Sequence, residues 1–186
     1  MRKLITLIVL LGITISLGAQ ELPNKFTITE DVISIGTDFT INDDIVIHQK
    51  LFNLTSTFKL YIDEELYTEA RQAMISIGSS INIYDNKGIK IGTIQERIFN
   101  SWGVYSKYEI LDKNGKLIAS SEKRQLMVTS FTLKDTKGNT ICKISRPAIN
   151  IFSDEWSVDI YDKSFDKRLL VFIPCYKTHR DTIKKK

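Results

Sequence analysis

Apolar and polar residues alternate along most of this chain. Phe39-Thr40-Ile41-Asn42-Asp43, Ile81-Asn82-Ile83-Tyr84-Asp85 and Phe131-Thr132-Leu133-Lys134-Asp135 each place apolar side chains at every second position. A period of two predicts a half-buried β-strand. Several strands run into a turn of one type: Asp85-Asn86-Lys87-Gly88, Asp112-Lys113-Asn114-Gly115 and Asp135-Thr136-Lys137-Gly138. Asp bonds the backbone two residues on, and Gly supplies the positive φ that closes the loop. Apolar residues then resume, as at Ile89, Ile91 and Ile94 or at Leu117 and Ile118. The predicted unit is a hairpin.

The unit repeats. Ile33-Ser34-Ile35-Gly36 recurs letter for letter at Ile75-Ser76-Ile77-Gly78, each copy leading into an alternating stretch. A degenerate copy lies between them, Phe52-Asn53-Leu54-Thr55 followed by Phe58-Lys59-Leu60-Tyr61-Ile62-Asp63. Downstream units begin at Tyr108-Glu109-Ile110-Leu111-Asp112 and Phe131, and a last one reads Trp156-Ser157-Val158-Asp159-Ile160-Tyr161-Asp162. The turn aspartates thus stand at Asp43, Asp63, Asp85, Asp112, Asp135 and Asp162. Two strands for each of six units predict about twelve strands, and a sheet of that size must curl or close to hide its edges. A propeller blade needs four strands in about 40 residues, which these short units do not supply. The expected fold is mainly β, a barrel of repeated hairpins. A lipocalin-type barrel is the competing fold, but its eight strands leave six turn signals unexplained.

Leu169-Leu170-Val171-Phe172-Ile173-Pro174-Cys175-Tyr176 breaks the pattern, apolar without alternation. Such a run is a buried strand or a buried helix, and periodicity does not separate the two. Pro174 argues against a long regular helix. A second apolar run, Leu4 to Leu17, follows Arg2 and Lys3 and precedes Gly18-Ala19. That order is a secretory signal peptide with cleavage after Ala19, giving an exported protein, periplasmic or secreted. Residues 20–186 then form a single domain with a short basic C-terminal tail. The whole chain has 26 Lys and Arg against 22 Asp and Glu. Loss of Arg2 and Lys3 leaves 24 against 22, a net of +2. Nucleic acid wants a basic stripe, so it is excluded as a partner.

The ordered set of the Ile-Ser-Ile-Gly signature, alternating residues and Asp-x-x-Gly turn, from about Lys25 to Asp181, with one apolar segment placed last, resembles the LURP-one-related family. That family belongs to the tubby-like superfamily, which also holds the phospholipid scramblases. The resemblance implies a twelve-stranded barrel around one central, mostly apolar C-terminal helix, which would be Leu169–Tyr176. It implies lipid binding as a function class, and it transfers no binding residue to this sequence.

Candidate chemistry is sparse. Cys142 and Cys175 are a possible disulfide pair in an oxidising envelope, with two buried thiols as the alternative. His48 and His179 are widely separated, match no zinc motif and are expected at the surface. Cys175 and His179 are four residues apart, but a thiol in an apolar run is inert. The turn acids do not meet the glycine and glutamate spacing of a calcium loop. Asp63-Glu64-Glu65 and Asp154-Glu155 are adjacent acids rather than carboxyls facing across a cleft. Gly78-Ser79-Ser80 belongs to the repeat, and Asn53-Leu54-Thr55 is a glycosylation sequon. Lys177, Arg180, Lys184, Lys185 and Lys186 form a basic tail able to contact anionic lipid. The expectation is an exported non-enzymatic module without a cofactor, binding a lipid, a membrane surface or an envelope protein. A carrier of a small apolar ligand and a hydrolase with an unrecognised site are the alternatives.

Overall fold

Among the described residues, strands form at the alternating stretches around Phe39, Phe58, Ile81, Tyr108, Phe131 and Trp156, and others form outside those stretches, as at Lys25–Asp31 and Glu65–Gln72. In this computed structural model the described residues are 21–31, 38–42, 44–52, 55–72, 80–99, 105–122, 124–125, 129–147 and 154–184. The expected signal peptide, both copies of the Ile-Ser-Ile-Gly signature, Asp43, the Asn53-Leu54 part of the sequon, Lys185 and Lys186 lie outside them. The strands are β1 (Lys25–Asp31), β2 (Asp38–Ile41), β3 (Ile45–Phe52), β4 (Thr55–Ile62), β5 (Glu65–Gln72), β6 (Ser80–Asp85) and β7 (Lys90–Phe99). They continue with β8 (Tyr105–Asp112), β9 (Leu117–Ser121), β10 (Arg124–Gln125), β11 (Ser130–Asp135), β12 (Thr140–Ser145) and β13 (Glu155–Ile160), and the helix α1 (Arg168–Lys184) comes last.

Twelve of these strands close an antiparallel barrel in the order β8-β7-β6-β5-β4-β3-β2-β1-β13-β12-β11-β9, with β9 returning to β8. The two-residue β10 shares the β9-facing edge of β8, pairing Ser106 and Tyr105 where β9 pairs Glu109 to Leu111. The count agrees with the sequence reading, but the allocation does not. Among the described turn aspartates, Asp63, Asp85, Asp112 and Asp135 close hairpins, while Asp162 leads from β13 into α1. The missing partner of β13 comes from the start of the chain, where β1 pairs Phe26 with Val158 and Ile28 with Trp156.

The turns are of two kinds. At Asp85, Asp112 and Asp135 the carboxylate Oδ1 accepts the backbone N–H groups two and four residues on, at 2.8 to 2.9 Å. Gly88, Gly115 and Gly138 close them at φ 76°, 83° and 90°. Each is a type I turn with a bulging glycine. Asp63 belongs to a different turn, a two-residue loop in which Asp63 and Glu64 themselves take φ 50° and 66°. Recurrence of Asp therefore conceals two backbone solutions.

The inward residues of the wall meet α1 on the barrel axis. Phe39, Phe58, Leu60, Ile83, Ile110, Leu133 and Trp156 face Leu170, Val171, Phe172, Ile173 and Cys175, all fully buried. A helix apolar on every side belongs in such an interior. Asp166 caps it: its Oδ1 accepts the Arg168 N–H at 3.1 Å, and its carbonyl accepts the Leu169 N–H at 3.1 Å. The Arg168 guanidinium holds the same carboxylate at 2.6 Å. The expectation that Pro174 rules out a long helix is corrected, because α1 runs through it for 17 residues. Pro removes one helical hydrogen bond, the one the Leu170 carbonyl would receive. Packing on all sides offsets that loss.

Candidate binding surfaces

The connections β2–β3, β4–β5, β6–β7, β8–β9 and β11–β12 lie at one end of the barrel, here the turn end; α1 enters there and points its C-terminal residues at the opposite, loop end. At the loop end the last buried turn of α1 meets a polar collar. The Trp156 indole N–H donates to Thr178 Oγ1 at 2.9 Å, and Thr178 Oγ1 donates to Asp154 Oδ2 at 3.0 Å. Arg146 pairs with Asp154 at 3.1 Å and lies 4.9 Å above the Trp156 ring. On the other side of the helix, His179 is clamped between Gln49 and Ser56. The Gln49 amide nitrogen stands 2.8 Å from Nδ1 and the Ser56 hydroxyl 2.7 Å from Nε2. An amide donor at Nδ1 assigns the proton to Nε2, which donates to Ser56. The Phe58 ring packs edge-on against the imidazole at 6.2 Å. Burial holds the His179 pKa below its ordinary value.

Several sequence expectations change here. His179 is a buried-side anchor of α1, not a surface residue; His48 is half-exposed and pairs with Asp38 at 3.1 Å. Lys177 does not belong to a tail: it is 3% exposed, inside the barrel. Glu96 on β7 is also fully buried, and both charged groups are partnered, as burial of a charge demands. Arg180 and Lys184 continue α1 to its end, where cations favour the helix dipole whatever else they contact.

Cys142 on β12 and Cys175 in α1 are two buried thiols, not a disulfide. Burial pushes the Cys142 pKa up to about 12 and that of Cys175 higher still. The Cys175 thiol donates to the Val171 carbonyl at 3.8 Å. With both His179 nitrogens engaged elsewhere, the two residues do not form a nucleophile–base pair.

The acids are likewise accounted for locally. The Asn139 side chain draws the Asp135 pKa down, and the turn N–H groups add to this against an opposing desolvation. Asp154 is held by Arg146 and Thr178, and Glu155 opens β13. Among the described residues no group of three or more His, Cys, Asp or Glu is arranged to hold a metal ion. An open groove of about 560 Å³ lies on the outer wall near the turn end, lined by Asp44, Val46, His48, Tyr61, Asp63 and Glu64.

The rest of the wall is polar. Outward positions include Arg71 opposite Asn82, Arg97 opposite Lys107 and Lys143 opposite Asp159. A barrel that faces lipid along its sides needs an apolar band there, and these rows interrupt one. No helix among the described residues is long and apolar enough to cross a membrane. No protein-family model matches the chain, and no curated protein matches it significantly.

Proposed function

We propose that residues 20–186 form an exported, non-enzymatic binding module of the LURP-one-related kind, whose ligand is an anionic lipid surface. The observation that carries this reading is the occupied axis. With α1 filling the barrel, an apolar ligand has no chamber to enter, so recognition falls to the outer surface and the two ends. The sequence supplies charge for such a surface: Arg180 and Lys184 belong to α1, and Lys185 and Lys186 follow them. An acidic envelope protein would offer the same charge complement.

Flotation of residues 20–186 with phosphatidylcholine vesicles, with and without phosphatidylglycerol, at low and physiological salt tests the reading. A companion chain ending at Asp181 measures the share of the terminal lysines. Salt-sensitive binding only to vesicles containing phosphatidylglycerol is expected, since each cation near such a surface contributes about 1 kcal/mol. Failure to float under any condition removes the lipid and directs the search to protein partners.

A further inference from the structure

Among the described residues the large hydrophobic side chains left exposed are Ile89 and Tyr161, each 59% exposed, and Leu117 at 36%. All three sit at the turn end. Ile89 is in the β6–β7 turn, Leu117 opens β9 and Tyr161 follows β13. They fall within the seven-strand arc β6-β7-β8-β9-β11-β12-β13, with β11 and β12 between Leu117 and Tyr161. Isolated exposed hydrophobics are ordinary; what distinguishes these is the charge around them.

Lysines surround them. Lys87, Lys113, Lys116, Lys137 and Lys163 are exposed on the same tips. Residues 85–90, 112–117, 135–139 and 161–168 together carry eight Lys and Arg against five Asp, a net of +3. Those aspartates turn inward: Asp85, Asp112, Asp135 and Asp162 accept N–H groups of their own turns, and Asp166 is held by Arg168. The remaining arc of this end is opposite in sign. Asp44, Asp63, Glu64 and Glu65 stand there against Lys25 at the start of β1, which pairs with Asp159 at 3.3 Å. One end of the barrel is thus split into a basic arc with apolar tips and an acidic arc without them.

Rigidity adds to this. Asp85 Oδ1 receives the backbone N–H of both Lys87 and Ile89, and the Ile89 carbonyl accepts the Asp85 N–H at 2.9 Å. The turn therefore holds Ile89 outward without loop ordering on contact, which lowers the entropic cost of binding.

We infer that the basic arc of the turn end is the membrane-docking face, inserting Ile89, Leu117 and Tyr161 at the level of anionic headgroups while its lysines contact them. The acidic arc tilts away from the surface, so the barrel docks obliquely. The inference rests on the lipid reading above but assigns the contact to the end opposite the basic helix terminus.

Three chains test it against phosphatidylcholine–phosphatidylglycerol vesicles. Combined Lys87→Gln, Lys113→Gln and Lys116→Gln should weaken binding about a hundredfold at low salt, roughly fivefold per charge. An Ile89→Trp probe carried with Trp102→Phe should be quenched by brominated acyl chains, since the remaining native Trp156 is fully buried. The chain ending at Asp181 should bind within about threefold of the full-length protein. If the unaltered protein does not bind, the lipid reading itself falls and this inference with it. If it binds, but the triple variant binds equally or the probe stays unquenched, only the docking face is overturned. If sedimentation instead shows self-association that the triple variant abolishes, the arc belongs to a second copy of the chain and the lipid assignment of this face is wrong.

Discussion

Gly92→Ala probes the point where the barrel wall and its filling helix come closest. Gly92 lies in β7, opposite Ile83 of β6 and Asp112 of β8. A Cβ added there would stand 2.7 Å from the Leu111 carbonyl oxygen and 2.7 Å from Leu169 Cδ2. Favourable carbon contacts lie at about 3.5–4.0 Å, so one neighbour must move by nearly an ångström. The Leu111 oxygen belongs to the sheet backbone and cannot swing away. Leu169 sits in the first turn of α1, against the same wall. Overpacking of this kind costs about 1–3 kcal/mol. Replacing Gly by Ala returns about 0.4–1 kcal/mol by restricting the unfolded chain, leaving a net destabilisation of about 1.3 kcal/mol at the midpoints of the two ranges. For a chain of this size that lowers Tm by about 3–5 °C. Urea and thermal unfolding of residues 20–186 measure it. Leu169→Ala should be destabilising alone by about 2–5 kcal/mol, yet less than additive with Gly92→Ala, because the double variant removes one of the two clashes. A Gly92→Ala protein as stable as the parent, or strict additivity in the pair, would refute the close approach of α1 to β7.

Two further outcomes follow from the buried titratable groups. Cys142 and Cys175 should both resist thiol reagents in the folded protein and both react in denaturant, and mass analysis without reductant should find no intramolecular bridge; loss of two hydrogens would contradict the core. His179, held neutral with a depressed pKa, adds stability that is fully present above about pH 6.5 and is lost as pH falls through its lower folded value, by at most about 1.4 kcal/mol per pH unit for one proton. The difference in stability between the parent and His179→Gln should therefore shrink below pH 6.5, and a pH-independent difference would remove His179 from the clamp.

What was legible from sequence was local. The Ile81–Ile83 alternation, the Asp85 turn and the Gly88 closure are all settled within ten residues, and β6 and β7 formed as expected. Gly92 carries a signal within the sequence, since an isolated glycine inside a strand marks a close backbone approach. Barrel closure was not readable, because β1 meets β13 across most of the chain and Asp162 carries the same turn chemistry as the hairpin aspartates while leading into a helix. The loop-end collar was hidden for the same reason: His179 finds Gln49 and Ser56 across 130 and 123 residues. Lys177 was read as tail because polarity resumes after Tyr176. The indole N–H of Trp156, apolar-patterned yet needing an acceptor, was the one hint that the helix extends to Thr178.

The filled axis also decides how the C-terminus can be tested. Eight strands already enclose a core that side chains can fill, and twelve enclose more. A helix about 10 Å across takes up the difference, so wall and helix depend on each other. A cut before Thr178 would remove the partner of Trp156 and Asp154 together with the His179 clamp, and the wall would lose its filling. A cut after Asp181 keeps the contacts of Thr178 with Trp156 and Asp154 and of His179 with Gln49 and Ser56, while removing Lys184, Lys185 and Lys186. Loss of binding by that chain therefore reports on charge, and unchanged binding leaves the turn end as the surface that must account for it.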